Sequence, residues 1–215
     1  MKIYTFYTQS HIELMKIFME NFPYSENIDL VVRKMPQECK DASYLSKGWN
    51  STMTRKVQYV IEALNETAEN EWFVHSDCDI VLFEGWEDIL QSCPSDIDMI
   101  NQNDHSVLCA GFFLCKNNVR TRELWNKVLE HMGNFEHDQW AMNEWIRKIP
   151  ELKVNVLPIS YFTYGLLGNG IWNGQEFIIP DAKNLKMFHA NWTVGVDNKI
   201  KLLREAVLQK NDLRL

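Results

Sequence analysis

The chain has 215 residues, with 22 Lys and Arg against 29 Asp and Glu, for a formal charge of −7. At about 150 residues per domain this is one domain, or one with an appended subdomain, and long enough to bury a core without staples. Apolar residues at 46% and charged residues at 24% exclude disorder and low-complexity architectures, and the acidic balance argues against a broad nucleic-acid surface while permitting a small anion site.

In chain order, Ile3 to Tyr7 reads as a short strand, and a helix opens near Ser10 carrying Ile12, Met15, Ile17, Phe18 and Met19. Ile28 to Val32 is a second strand, and Thr52 to Ala68 has Val57, Val60, Ile61 and Leu64 at helical spacing. Trp72 to His75 is an apolar run that stops at Ser76-Asp77-Cys78-Asp79, as a buried strand does at its carboxyl end. Met99-Ile100 and Gly111 to Cys115 read as further strands. Thr121 to Met132 and Asp138 to Ile149 read as helices, the second with Asp138 as its cap. Val154 to Ile159 is another strand, the Gly- and Asn-rich stretch from Gly165 to Gly174 a loop, and Asp197 to Gln209 a closing helix. This alternation predicts an α/β fold with a parallel or mostly parallel sheet flanked by helices, in which ligands collect at the carboxyl ends of strands. No repeat, linker or composition shift divides the chain, so a single domain is expected over 1–215.

The five cysteines are odd in number and lack C-x-x-C or zinc-ligand spacing, which fits free thiols in a reducing compartment. No signal-peptide start and no apolar run of about 18 residues is present, so the expectation is a soluble, cytoplasmic protein without a membrane span.

Asp77 and Asp79, at i and i+2 of an extended segment, can present both carboxylates to one point, where a hard divalent cation would relieve their repulsion and bind phosphate oxygens. Taken alone, the same pair could be a turn cap and a solvated side chain. Near the C-terminus, a strand ending in His189, a loop with Gly195, and Lys199 opening a helix form a second wall for a metal diphosphate. The imidazole nitrogen suits Mn²⁺ better than Mg²⁺, Gly195 would let backbone approach an anion, and Lys199 would offset phosphate charge. Two enzyme classes place an acidic pair after an apolar strand. Asp77-Cys78-Asp79-Ile80-Val81 fits the D-x-D-x-[TV] string of haloacid-dehalogenase-type phosphatases, but 76 residues precede it and no later acidic segment of that class follows. A nucleotide-sugar transferase predicts those leading residues as a nucleotide-binding half. A non-catalytic nucleotide-sugar-binding domain is the third reading.

The order of Asp77-Cys78-Asp79-Ile80-Val81, Gly111-Phe112-Phe113, Asp138-Gln139, Val156-Leu157-Pro158 with Phe162, and His189-Ala190-Asn191-Trp192 with Gly195 and Lys199 resembles the nucleotide-diphospho-sugar transferases of the GT-A fold, the family-77-like group. It covers roughly residues 70 to 203. The small chain also resembles the virus-encoded GT-A domains of large algal viruses, which glycosylate capsid protein in the host cytosol. The resemblance implies a GT-A (Rossmann-like) mixed, mostly parallel sheet, with a nucleotide-binding half over about 1–80 and an acceptor and metal-completing half over about 81–215. It implies a metal site of Asp79, Asp77 and His189 holding Mn²⁺ or Mg²⁺, with Asp77 on the ribose or on the metal through water. The nucleoside of a UDP-sugar donor would meet Thr5 to Thr8, with Phe6 or Tyr7 on the base and Arg55, Gly195 and Lys199 toward the phosphates; core packing is the other role for Phe6, and an exposed helix face that for Arg55. Here Cys109-Ala110-Gly111 replaces the family's Asn-x-Gly-type turn, and Gln102, Asn103 and Asp104 stand in as sugar-hydroxyl partners.

Asp138 is the expected catalytic carboxylate, a general base if the reaction inverts and a stabiliser of anomeric charge if it retains. A helix cap is the alternative role. With Gly111, Gln139 is expected at the sugar or acceptor. Tyr164 to Trp172 is expected to cover the site or contact the acceptor, with Trp172 available to stack on a sugar or, as one of eight tryptophans, to pack in the core. The implied partners are a nucleotide-sugar donor and a glycan or glycoprotein acceptor.

Overall fold

The computed structural model describes residues 1–39, 46–91, 93–135 and 137–211. Among them the elements are β1 (Lys2–Tyr7), α1 (Ile12–Glu20), β2 (Asp29–Lys34), α2 (Trp49–Glu66), β3 (Trp72–Ser76), β4 (Ile80–Leu82), α3 (Asp88–Gln91), β5 (Met99–Asp104) and β6 (Val107–Lys116). Then come α4 (Val119–His131), α5 (Asp138–Ile146), β7 (Val154–Val156), β8 (Tyr161–Thr163), β9 (Met187–His189) and α6 (Val196–Asn211).

Six strands form one sheet in the order β2-β1-β3-β6-β5-β7, and β4-β9-β8 form a second, smaller one. Pairings are parallel except those of β6 with β3 and β5, so five of the six main strands share a direction and β6 alone is reversed. The mostly parallel α/β expectation holds. Period-two alternation splits the core across the main sheet. Ile3, Val74 and Phe112 face a cluster with Leu14, Phe18, Phe188 and Leu202, while Tyr4, Phe73 and Phe113 face one with Val57, Tyr59, Trp125 and Met142. Each fully buried Val, Leu or Phe of this kind contributes about 1.5–3 kcal/mol.

Local chemistry sets the boundaries. α4 starts at Asn118, whose side chain takes the amides of Arg120 and Thr121 while the Thr121 hydroxyl accepts the Asn118 amide, a reciprocal cap. β7 is shorter than the expected strand to Ile159, because after Leu157, whose amide still bonds to Asn101 O, Pro158 has no amide to extend the ladder. β6 is longer than expected and irregular. Asn101 pairs with Phe113 but Asn103 with Leu108, so the single residue Gln102 faces the four residues 109–112. Such a bulge re-aims side chains next to it, and both Gln102 and Gly111 lie inside it. None of the described helices is long and apolar enough to cross a membrane.

Candidate functional site

β1, β3 and β5 run the same way, so Tyr7, Ser76 and Asp104 bring three carboxyl ends to one edge of the main sheet. The chain leaves β3 through Asp77-Cys78-Asp79 and enters β4 of the small sheet. There the antiparallel register pairs Ile80 with His189, and the Ala190 amide donates to Asp79 O at 3.0 Å. This ladder carries His189 to the acidic pair: Nε2 lies 3.5 Å from Asp79 Oδ1, and one ligand atom each from Asp77, Asp79 and His189 fall within 4.8 Å of one another.

Gln102 fixes the imidazole. It is fully buried, and its Nε2 donates to the carbonyls of Tyr161 and Phe162, both at 3.1 Å. Its oxygen therefore faces His189 Nδ1 at 3.0 Å and accepts that proton, leaving Nε2 aimed at the acidic pair. Gly111 leaves room for this. A Cβ there would stand 2.4 Å from His189 Cε1 and 3.0 Å from Asp77 Oδ2. Two carboxylates, one imidazole nitrogen and a glycine-lined gap fit a divalent cation such as Mn²⁺ or Mg²⁺.

Two lysines, Lys56 buried and Lys199 half-buried, flank the group. Lys56 Nζ lies 2.9 Å from Asp77 Oδ2 and 3.0 Å from Asp138 Oδ2, and Lys199 pairs with Asp79. Burial opposes ionisation of Lys56, Lys199, Asp77 and Asp79, yet the pairings win. Lys56 is held charged by Asp138 and Asp77, and Lys199 by Asp79. Asp77 is held below the usual carboxylate range by Lys56 and His75, and Asp79 well below it by Lys199 and His189. Against burial, the Cys109 sulfur and the Asp79 carboxylate push His189 up to about 10. His75, stacked on Phe113 at 5.0 Å with Nε2 3.3 Å from Asp77 Oδ1, is instead kept neutral by burial. Three carboxylates, those of Asp77, Asp79 and Asp138, thus stand against two ammoniums and the His189 imidazole.

Beside the group, a cleft of about 70 Å³ is lined by Phe6, Tyr7, Thr8, His11, Trp49, Asp79 and Lys199, among others. His11, with Nδ1 2.8 Å from the Thr8 hydroxyl, is kept neutral by burial and by Lys199.

Several expected site residues stand elsewhere. Thr5 is fully buried and does not line the cleft, and Phe6 borders it but packs mainly on Tyr59. Arg55 is exposed and pairs with Glu38 at 2.6 Å; its neighbour Lys56 faces the carboxylates instead. Gln102 positions His189 and is too buried to meet a sugar, and no described contact joins Asn103 to the group. Gly195 provides a φ of +87° before α6, and the space that a Cβ would take there is open. Asp138 is the first residue of α5, and His137 occupies the cap position. Its 4%-exposed carboxylate turns to Lys56, so capping does not explain it. Trp172 is 6% exposed, bonded to Gln175 O and set in the core.

Sequence reasoning missed Lys56, His75, His11 and the position of Trp192. Lys56 was legible as the one cation on α2's apolar stripe with Met53, Val57 and Val60, since a buried charge needs a partner. Asp104, named as a sugar partner, is instead a buried junction. It accepts from Asn191 Nδ2 at 2.8 Å, Trp192 Nε1 at 2.9 Å and Gln139 Nε2 at 3.0 Å. Gln139 Oε1 in turn accepts the Ala110 amide.

Solved glycosyltransferases share this architecture. The chain is similar to a glycosyltransferase involved in glycosylation of the major capsid of PBCV-1, with a TM-score of 0.65, 11% identity, and 95% of this chain and 98% of that chain covered. It is similar to GlyE of Streptococcus pneumoniae TIGR4 at 0.61 and 11%, covering 98% of this chain and 62% of GlyE. The galactosyltransferase LgtC, solved with donor and acceptor sugar analogues, superposes at 0.59 and 11%, with 100% and 97% covered. None of the curated proteins matches the chain in sequence. At these identities the likeness shows the GT-A fold. The sequence family is shown separately, by a family model for nucleotide-diphospho-sugar transferases that matches residues 21–203. That match leaves the phosphatase reading without support, and Asp77, already bridged by Lys56 and His75, is not a free nucleophile. The acidic pair, the imidazole returned to it by the β4–β9 ladder, and the matched family agree, and the chain belongs to the nucleotide-diphospho-sugar transferases, a glycosyltransferase of GT-A fold.

Proposed function

We propose that this transferase is divalent-cation-dependent, takes a UDP-sugar as donor, and passes the sugar to a hydroxyl of a glycan or glycoprotein. The observation that carries this is the convergence of Asp77, Asp79 and His189 on one point beside the Lys199 ammonium. A diphosphate would add negative charge beside the three carboxylates, so its binding calls for added positive charge. Mn²⁺ or Mg²⁺ held by the three residues would supply Lewis-acid stabilisation to the departing diphosphate.

The chain's own groups do the rest. The cleft at the end of β1 receives the nucleoside against Tyr7, with Thr8 and His11 as polar edges. As the acceptor oxygen bonds to the anomeric carbon, the bond to the diphosphate breaks and the leaving group keeps the electron pair. Lys199, which pairs with Asp79, would meet that charge without a proton transfer. Lys56 holds the side chains of Asp77 and Asp138 in place. Asp138 faces the transferred sugar, taking the acceptor's proton if configuration inverts or steadying the oxocarbenium-like carbon if it is retained. We place the protein in a reducing compartment, the cytoplasm, on its odd number of cysteines without C-x-x-C or zinc-ligand spacing.

A thermal-shift panel of nucleotide sugars with and without Mn²⁺ tests this. A ligand at 100 times its Kd stabilises the native state by about 2.7 kcal/mol. The expected result is stabilisation by UDP-sugars only with Mn²⁺, abolished in Asp79→Asn. Equal shifts without metal, or none from any UDP-sugar, would overturn the reading.

A further inference from the structure

Of the eight tryptophans, only Trp140 and Trp192 are exposed. Trp192 has a feature the others lack: 46% of it is open to solvent although its φ is +52°. That left-handed backbone costs a bulky residue free energy, and half-exposure returns little burial in compensation. Strain of this kind persists where the surroundings impose it, and it gathers at ligand sites.

The surroundings here are specific. The indole N–H donates to Asp104 Oδ1 at 2.9 Å, and the Trp192 carbonyl accepts the Trp172 amide at 2.8 Å. Gly165 lies directly against the ring, since a Cβ there would be 2.6 Å from Cδ1 and Nε1. Asp104 itself is 5% exposed and belongs to no ion pair among the described residues. A buried carboxylate is thus spent on orienting three neutral groups, one of them an exposed indole. Mounting one ring so firmly, with Gly165 against it and solvent still reaching it, is what a stacking surface needs.

Its place in the fold identifies what stacks there. In the sheet order β1-β3-β6-β5, the proposed nucleoside cleft lies at the end of β1, and Asp104 ends β5 on the other side of β3. From Asp104 the contacts run through Gln139 to the Ala110 amide, beside Gly111. Trp192 is also three residues beyond His189. The ring therefore flanks the acidic group on the side away from the nucleotide, where an acceptor must enter. Resting on the transferase reading above, we propose that Trp192 is the stacking platform for the acceptor, and that the acceptor is consequently a pyranoside presenting a C–H face. A flexible polyol or a bare serine or threonine hydroxyl has no such face.

Saturation-transfer NMR with methyl β-D-galactopyranoside and methyl β-D-glucopyranoside, in the presence of UDP and Mn²⁺, tests this in wild type, Trp192→Ala and Trp192→Phe. Glycerol and a serine-containing peptide serve as comparison probes, and UDP–Mn²⁺ affinity is titrated in parallel. The expected result is pyranoside binding by wild type, retained in Trp192→Phe and weakened at least tenfold in Trp192→Ala, with UDP–Mn²⁺ affinity unchanged within twofold. Wild-type affinity for pyranosides in Trp192→Ala would overturn the assignment, as would equal binding of glycerol or the peptide. Parallel loss of UDP–Mn²⁺ binding in Trp192→Ala would overturn it by showing a structural role. If wild type fails to bind UDP with Mn²⁺, the transferase reading itself falls, and the pyranoside signal shows separately whether the ring binds sugar.

Discussion

Asp79 and His189 meet because the three-residue strands β4 and β9 pair antiparallel, with Ile80 opposite His189 and the Ala190 amide on the Asp79 carbonyl. Residues far apart in sequence are thereby fixed by main-chain bonds, and a cation need not gather them. The remaining freedom is the rotation of the imidazole, which Gln102 removes through Nδ1.

Gln102→Leu should therefore weaken the site without dismantling it. Two buried carbonyls lose their donor, costing about 1–3 kcal/mol, and the ring loses its orientation, which lowers cation affinity by about 10–100-fold. Urea unfolding and Mn²⁺ titration read the two effects separately. Unchanged Mn²⁺ affinity would leave Gln102 a purely structural bridge.

Neighbours on α2 should behave in opposite ways. Lys56→Met leaves Asp77 and Asp138 facing each other without their shared cation, which should cost about 3 kcal/mol in EDTA, and Mn²⁺ should recover part of it by serving Asp77. Arg55→Ala, an exposed pair with Glu38, should stay within about 0.5 kcal/mol. Denaturant midpoints with and without metal decide both.

Gly111→Ala puts a methyl where His189 Cε1 stands 2.4 Å away. The imidazole must move, so Mn²⁺ binding should be lost while circular dichroism stays native. Gly195→Ala strains only a positive φ, costs about 1 kcal/mol, and should keep Mn²⁺ binding.

Far from the site, Asp98 gives the fold an acid limit. Its 1%-exposed carboxylate takes both Arg120 Nε and Nη2, Asn118 Nδ2 and the Lys153 amide. Although burial opposes it, Arg120 and these donors hold its pKa below the ordinary value. The unfolded chain therefore takes up the proton first, so the stabilisation is complete above about pH 4 and is lost as pH falls toward the folded-state value. Asp98→Asn should cost about 2 kcal/mol at pH 7, with the gap to wild type narrowing as pH drops below about 4.

Strand ends and periodicity carry much of this in the sequence. The apolar run closed by Asp77 and Asp79 marks a carboxyl edge, and His189 with Lys199 marks its complement. The reversal of β6 and the separate small sheet were not legible, because strands of three residues such as Ile80–Leu82 have no period to read. Side-chain direction was the other blind spot. Arg55 and Lys56 look equivalent as letters, but 100° of helix rotation sends one to Glu38 and the other to the carboxylates. Trp172 and Trp192 likewise differ only in what the fold buries.

Mn²⁺ electron-spin-echo spectroscopy on the protein with UDP tests the central claim most directly, since it detects a nitrogen bound to the metal. One Mn²⁺ per chain with a single histidine-nitrogen modulation is predicted, the modulation vanishing in His189→Ala and the binding itself in Asp79→Asn. A nitrogen signal that survives His189→Ala, or tight Mn²⁺ binding that survives Asp79→Asn, would contradict the account.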